Sequence, residues 1–216
     1  MVSIVKRHFG GDMSKIEAVI AGKRATTRAN NKDAILIAAR EVFTEIGFGG
    51  TTVRDIIRRT GLASGTFYNY FTGKEEVFVA LIDDIGARLR AQLRSVRADA
   101  KNFEDFIETS FLAYFSYYAN NPGDYGLLRS NRGREGGYLS GPQTRAGLEE
   151  LREDLLQAIQ AGIVPDLDVD FMTSAISGSA FSILDEMMTR TPPDPVQTAR
   201  FASRLYLGGV RSFVTK

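Results

Sequence analysis

The chain has no cysteine and only one histidine, His8, among its 216 residues. The missing thiols exclude disulfides and thiolate zinc sites, and a single histidine near the N-terminus argues against a histidine-based triad or metal cluster. Asp166, Asp168 and Asp170 could together hold a hard cation, but such residues more often cap a helix. We therefore predict a protein that is not an enzyme and carries no metal or cofactor.

Long apolar runs are also missing. No stretch approaches the ~18 apolar residues that suggest a membrane span, and the N-terminal residues lack the apolar core of a signal peptide. Hydrophobic residues make up 44% of the chain and charged residues 25%, which is typical of a soluble globular protein. These features predict a cytoplasmic protein with no membrane partner.

Charge is distributed unevenly, although the net charge is only +1. Residues 1–74 contain 12 Lys/Arg and 6 Asp/Glu, whereas residues 75–216 contain 15 and 20. Only the N-terminal third therefore suits contact with a polyanion. Residues 1–29 show no sustained period, apart from a short helical stretch around 14–21. They are interpreted as a mobile basic tail or as a basic arm that contacts DNA.

Helical periodicity begins after this segment. Apolar residues at helical spacing between Ile35 and Ile46 predict a first helix, with Asn31 as its N-cap and Gly47 at its left-handed C-terminal position. Further helices are predicted at about 102–120, 123–131, 142–161, 168–190 and 195–214, separated by proline and glycine. No segment alternates like a strand, so the predicted fold class is all-α.

Residues 51–71, TTVRDIIRRTGLASGTFYNYF, carry the most informative pattern. Thr52 and Asp55 resemble a capping box for a second helix that Gly61 ends, and Ser64 is the predicted cap of a third helix running to about Phe71. Phe67 and Phe71 anchor this third helix on the core. Two short helices joined by a tight turn form a helix-turn-helix. The outward residues suited to DNA contact are Ser64, Gly65, Thr66, Tyr68, Asn69 and Tyr70.

The stretch AREVFTEIGFGGTTVRDIIRRTGLASGTFYNYFTGKEEVFVAL resembles the DNA-binding domain of the TetR/AcrR family of transcriptional regulators. The resemblance implies a three-helix DNA-binding domain (30–74) after the basic tail (1–29), followed by a helical ligand-binding and dimerisation domain (75–216). It places Thr52, Tyr68, Tyr70 and Lys74 at phosphates, and Arg54, Ser64 and Thr66 at bases. Ile57 departs from the family pattern, which usually has a small alanine there.

The predicted fifth helix is unusually rich in aromatic residues between Phe103 and Tyr118. These residues form either a bulky core or the wall of a pocket for a small, hydrophobic or aromatic effector. The candidate ligand-binding residues are Phe106, Ser110, Tyr114, Tyr117, Met172 and Ile176. Arg129, with Arg132 and Arg134, is interpreted as a site for an anionic head group or as a solvated helix end.

Small residues on the last two predicted helices indicate a homodimer. The candidate interface residues are Ala175, Gly178, Ser182, Ala202, Leu205, Gly208 and Gly209. Two such helices from each subunit would form a four-helix bundle, although close packing within one chain is the alternative. A two-fold dimer predicts a palindromic DNA operator with half-sites about 34–36 Å apart.

These features predict a transcriptional repressor that a ligand releases from its operator, repression being the family default. A long fourth helix is predicted to start at Lys74-Glu75-Glu76 and to connect the DNA-binding unit to the pocket. In this hypothesis the ligand favours a state in which the fourth helix has swung, so that the two recognition helices miss successive grooves. The alternative is a DNA-binding regulator controlled by a partner protein.

Overall fold

The computed structural model describes residues 13–130 and 141–211. This part of the chain contains nine helices and no strand, which confirms the all-α class. The helices are α1 (Met13–Gly50), α2 (Val53–Thr60), α3 (Ser64–Tyr68), α4 (Lys74–Ala98), α5 (Phe103–Asn120), α6 (Pro122–Ser130), α7 (Pro142–Gln160), α8 (Val169–Met187) and α9 (Pro195–Arg211). Within the same residues, none of the helices is both long and apolar enough to cross a bilayer.

Helix α1 starts earlier than the sequence pattern predicts. Asn31, the predicted N-cap, lies inside the helix, which already begins at Met13. The added segment contains alanine, lysine, arginine and glutamate, which are good helix formers, and no proline. Residues 26–30 are exposed, so this part of α1 has no buried face whose periodicity could reveal it. Gly47 has the predicted positive φ, at 73°, and breaks the regular helix.

The helix-turn-helix forms with one change at its third helix. Thr52 and Asp55 make the predicted capping box at the start of α2, and Gly61 ends that helix with φ 68°. The N-cap of α3 is Ala63 rather than Ser64, and no side chain caps this helix. Helix α3 ends at Tyr68, before the predicted Phe71, and backbone bonds from Tyr70 and Phe71 to the Phe67 carbonyl continue the turn.

The chain divides into two compact units, an N-terminal unit (Met1–Phe78) and a C-terminal unit (Val79–Lys216). In the N-terminal unit, Phe43, Phe48 and Phe78 form a ring cluster with centroid distances of 4.9–5.6 Å. Phe67 and Phe71 are buried, as predicted for the anchors of α3. The predicted division into residues 1–29, 30–74 and 75–216 stays a prediction.

The C-terminal unit is built around α5. Helix α5 packs mainly on α9, and α8 packs on both α7 and α9. Phe111 and Phe115 of α5 stack at 5.9 Å, and Phe111 also stacks on Tyr206 of α9 at 5.6 Å. Burial of these rings contributes to the hydrophobic stabilisation of the unit.

Candidate DNA interface and ligand cavity

The capping box holds the start of α2 in place. The Thr52 amide donates to Asp55 Oδ2 at 2.9 Å, and the Asp55 amide donates back to Thr52 Oγ1 at 3.3 Å. The Thr52 hydroxyl donates to Asp55 Oδ2 at 2.6 Å, and this bond, together with the one from the Thr52 amide, lowers the pKa of the Asp55 carboxyl, which lies near the positive end of the helix dipole. Ile56 is fully buried, whereas Arg54 and Arg58 are exposed. The cap therefore positions a helix that presents arginines to solvent.

Helix α3 presents the predicted recognition surface. Phe67 is fully buried, but Tyr68 is 59% exposed, and Ser64, Gly65 and Asn69 are also exposed. Thr66 and Tyr70 are partly exposed. Small residues at the start of the helix allow close approach of its backbone to a DNA groove, and the hydroxyl and amide groups can donate to phosphates and bases.

Two basic side chains, Lys74 and Arg28, make contacts within the N-terminal unit close to the helix-turn-helix. The Lys74 ammonium donates to the Phe48, Gly49 and Thr51 carbonyl oxygens at 2.9, 3.5 and 2.7 Å. Lys74 was predicted as a phosphate contact; it also ties the start of α4 to the end of α1 and to Thr51, which follows α1. Arg28, in the early part of α1, lies 6.0 Å from the centre of the Tyr70 ring.

The C-terminal unit contains an apolar cavity of about 140 Å³, here called the inner cavity. Its walls come from α4, α5, α6, α7 and α8. Most of them are aliphatic or aromatic, including Ile85, Leu89, Phe111 and Leu151. A cavity of about 150 Å³ accommodates a benzene-sized molecule, so the inner cavity suits one ring or a short alkyl group.

A wider depression of about 660 Å³, here called the outer basin, shares Arg97 and Phe106 with the inner cavity. The Arg97 guanidinium lies 5.2 Å from the Phe106 ring centre and donates to Ser110 Oγ at 3.3 Å and to Asp154 at 3.4 Å. Burial lowers the pKa of Arg97 and raises the pKa of Asp154. The two spaces therefore meet at a buried cation.

A second ion cluster lies beside the cavities. Glu150 accepts from Arg90 at 2.6 Å and also pairs with Arg94. Hydrogen bonds from Arg90 and Arg94 lower the pKa of Glu150 to about 2, against the opposing effect of burial. Arg90 also donates to Gln143 at 2.9 Å. The cluster links α4 to α7 along the wall of the inner cavity.

Four of the predicted ligand-binding residues line the inner cavity: Phe106, Ser110, Tyr114 and Ile176. Met172 is not part of its wall, and Arg129 is exposed at the end of α6. Tyr117 points elsewhere, because its hydroxyl donates to the buried Asp124 at 2.7 Å. Arg132 and Arg134 lie outside the described residues.

Sequence reasoning missed the two arginines of the cavity wall, Arg90 and Arg97. Both belong to the basic C-terminal part of α4, where arginines resemble a solvated helix face. The available signal was their placement on the same helix as the apolar residues Leu89 and Leu93, which also line the cavity.

The predicted dimer residues divide into exposed and buried groups. Ala175, Gly178, Ser182, Leu205, Gly208 and Gly209 are exposed. Ala202 is fully buried inside its own chain, because this side of α9 faces the core of the unit. Large exposed apolar residues lie on the same two helices, with Phe171 77% and Phe201 60% exposed.

The geometry agrees with what the comparisons with known proteins find. Residues 35–81 match the model of the bacterial regulatory proteins of the tetR family. Fatty acid degradation regulator FadR from Bacillus halodurans has a similar structure, with TM-score 0.71 and 24% identity over 84% of this chain and 96% of that one.

Two further solved structures are similar over most of their length. Transcriptional regulator FadR from Bacillus subtilis, in complex with stearoyl-CoA, has TM-score 0.69 and 23% identity over 82% of this chain and 98% of that one. A bacterial regulatory protein in the tetR family from Rhodococcus RHA1 has TM-score 0.67 and 21% identity over 83% and 96%. At these identities the structures establish the fold.

The motif and the fold define a helix-turn-helix DNA-binding protein with a C-terminal helical domain. Residues 35–81 therefore form a DNA-binding segment of the kind found in the bacterial regulatory proteins of the tetR family.

Proposed function

We propose that this protein is a transcriptional repressor that binds a palindromic operator as a homodimer and is released when a small, largely apolar ligand enters the inner cavity. The observation that carries the proposal is the capped α2–α3 motif, whose anchor Phe67 is buried while Tyr68 and the start of α3 face solvent. Such a surface fits the major groove. The acidic balance of residues 75–216 leaves DNA contact to the N-terminal unit.

A second copy of the chain is the partner that fits the exposed faces of α8 and α9. Gly178 and Gly208 have open space around the position of a side chain within their own protomer. Glycine inside a helix lowers stability by about 1 kcal/mol relative to alanine. Close approach of a helix from the second protomer, which a side chain would block, is a physical reason for glycine at these positions. Phe171 and Phe201 would be covered in the same interface.

The ligand would act through α4. Ile82, Ile85 and Leu89 of this helix line the inner cavity. Lys74 at its first turn binds backbone carbonyls at the end of α1 and at Thr51. A ligand that fits better when α4 has moved would favour a dimer whose recognition helices no longer match half-sites about 34–36 Å apart. Coupling of about 1–3 kcal/mol corresponds to a change of about 5–150-fold in DNA affinity.

The similar structures support an amphipathic effector. One of them is named as a fatty acid degradation regulator, and another is described in complex with stearoyl-CoA. The predominantly apolar wall of the inner cavity agrees with a ligand that buries hydrocarbon.

The test starts with selection of bound duplexes from a random library by the full-length protein, followed by affinity measurements on the selected sequence. We expect a palindrome, two protomers per site and affinity that falls with salt. Octanoate, octanoyl-CoA and phenylbutanoate are then titrated into the complex. Release by any of them supports the proposal, and DNA should weaken that ligand by the same factor.

Failure to enrich any sequence would overturn the operator-binding function. Tight operator binding that no small molecule affects, but that a copurifying protein abolishes, would favour control by a partner protein.

A further inference from the structure

The charged side chains that line the inner cavity are all positive among the described residues. Among the described residues, Arg90 and Arg97 line it together with apolar and neutral polar groups, and no carboxylate does. Arginine presents several N–H donors and stays protonated in proteins. Two arginines at the wall of an apolar cavity can donate hydrogen bonds to an anionic ligand. An uncharged hydrocarbon cannot form these bonds.

Arg97 is the less satisfied of the two arginines. Its side chain is only 13% exposed, yet within the described part of the chain its polar contacts are the long ones to Ser110 and Asp154, at 3.3 and 3.4 Å. Charge-assisted bonds of this type are normally about 2.7–2.9 Å long. Arg59, on the surface, reaches 2.6 Å with Glu45. A buried cation with distant partners gains more from an added anion than a well-paired one does.

Asp154 would compete only weakly with a ligand carboxylate for hydrogen bonds from Arg97. It lines the outer basin but not the inner cavity, so the counter-ion of Arg97 stands outside the space that a ligand body would fill. Burial disfavours the charged form of Asp154. A ligand carboxylate at normal hydrogen-bonding distance would therefore replace a poor interaction with a better one.

Arg90 provides a second unsatisfied donor. Its terminal nitrogens bind Gln143 and Glu150, but its Nε is buried and has no hydrogen-bond partner among the described residues. Buried donors of this kind are uncommon in folded proteins and call for a physical explanation. A carboxylate bound near the arginines of α4 would provide one.

Resting on the proposed ligand-binding function, we infer that the effector is an organic carboxylate on a compact apolar body, and that Arg97 binds its charged group. The volume of about 140 Å³ suits a body of about one ring. The acid places this body in the inner cavity, and its carboxylate accepts hydrogen bonds from the Arg97 guanidinium where the cavity meets the outer basin. Asp154 is then released from Arg97.

The experiment compares two molecules that share a body and differ in charge, 4-phenylbutanoate and 4-phenylbutan-1-ol. Binding to the full-length protein without DNA is measured by calorimetry at neutral pH. We expect the acid to bind roughly 10–100 times more tightly than the alcohol, because hydrogen bonds to a charged partner have about that effect. Equal affinities, or no binding of either molecule, would overturn the inference.

Variants then identify the residue responsible. Arg97→Gln should abolish the preference for the acid, whereas Arg94→Gln, in the outer basin and 63% exposed, should leave it intact. Asp154→Asn should tighten binding of the acid several-fold without changing the alcohol, and this holds even if Arg97→Gln fails to fold. A preference for the acid that survives in Arg97→Gln, or is unaffected by Asp154→Asn, contradicts the assignment.

A third arm uses octanoate and octanoyl-CoA. Tighter binding of the free acid, lost in Arg97→Gln, supports the carboxylate. Tighter binding of the thioester that depends on Arg94 and Lys101 in the outer basin would overturn it in favour of a phosphate-bearing ligand. Because these measurements contain no DNA, a confirmed preference with no effect on operator binding would disprove ligand release and leave the anion site standing.

Discussion

Lys74 and Arg97 stand near the two ends of α4, and their hydrogen bonds differ in quality. The Lys74 ammonium donates to three backbone carbonyl oxygens, two of them within 2.9 Å. Among the described residues, Arg97 makes two hydrogen bonds, both longer than 3.2 Å. Loss of Lys74 should therefore affect folding of the N-terminal unit first, whereas loss of Arg97 should affect ligand binding first.

Lys74→Ala is expected to lower the free energy of unfolding by about 1–3 kcal/mol, because it leaves partly buried carbonyls without a charged donor. Urea denaturation measures the change. Tyr68→Ala is the matched control: this exposed side chain should leave stability nearly unchanged and weaken binding to all DNA sequences. If Lys74 also contacts phosphate, its loss lowers the salt slope of binding by about one. Unchanged stability of Lys74→Ala would contradict the anchoring role.

Arg54→Ala is expected to relax the preference at one base pair and to cost about 1–3 kcal/mol at the preferred base. Arg58→Ala removes the same charge from an exposed position on the same helix, so it should weaken binding without changing the selected sequence. Sequencing of duplexes selected by each variant measures both effects. If the two variants select the same sequence, Arg54 does not read a base.

At the scale of helices, caps and breakers made most of the structure predictable. Thr52, Asp55 and Gly61 define α2 through local hydrogen bonds and one left-handed residue, and the sequence has proline or glycine at the junctions between the helices from α5 to α9. The early part of α1 was not predictable, because residues 26–30 are exposed and show no buried stripe. Phe48, after the break at Gly47, is buried, whereas Ile46, the last residue of the predicted apolar face, is 52% exposed.

Thr52→Ala is expected to destabilise α2 by about 1 kcal/mol, because it removes the side chain that accepts from the Asp55 amide. Thr52→Ser keeps the hydroxyl and should retain most of the stability. Urea denaturation of both variants provides the comparison. Equal loss in the two variants would mean that the methyl group, and not the cap, stabilises this turn.

Glu150→Gln is expected to destabilise the C-terminal unit by about 1–2 kcal/mol at neutral pH, less than its full pKa shift implies because the side chain is partly exposed. Its pKa is lowered from 4.5 to about 2 in the folded protein. The contribution is therefore complete above about pH 4.5 and is lost as the pH falls towards 2.

Unfolding curves of the wild type and Glu150→Gln at several pH values check this expectation. The difference between the two proteins should shrink through the acidic range. A difference that stays constant from neutral pH to pH 2 would show that the carboxylate charge is not responsible.

At the scale of the whole molecule, long-range proximity limits what the sequence reveals. Phe106, Ser110 and Tyr114 were predictable as cavity residues because they share one face of an aromatic helix. Arg90 and Arg97 became recognisable only once α4, α5 and α7 were packed together. Ala202 belonged to a stripe of small residues, but burial within its own chain separates it from the exposed members.

Phe171→Arg and Gly178→Leu are each expected to convert the proposed dimer into monomers, by placing a charge or a bulky group on the exposed faces of α8. Gly178 has room for a side chain within one protomer, so its replacement should leave the monomer folded. Ile37→Arg, at another exposed apolar residue on α1, is the control. Sedimentation velocity measures the mass; dimers that persist in both α8 variants would place the interface elsewhere.

Val77 and Phe78, in the first turns of α4, are buried in the N-terminal unit. The start of α4 is therefore a poor position at which to join this N-terminal unit to the ligand-binding domain of another protein. An N-terminal fragment that ends at Gly73 would lose Lys74 and the Phe78 ring of the Phe43–Phe48–Phe78 cluster. We expect such a fragment to be poorly folded. A fusion protein that contains the chain through Phe78 keeps the buried core of the N-terminal unit. Its junction then falls at Val79, which is exposed.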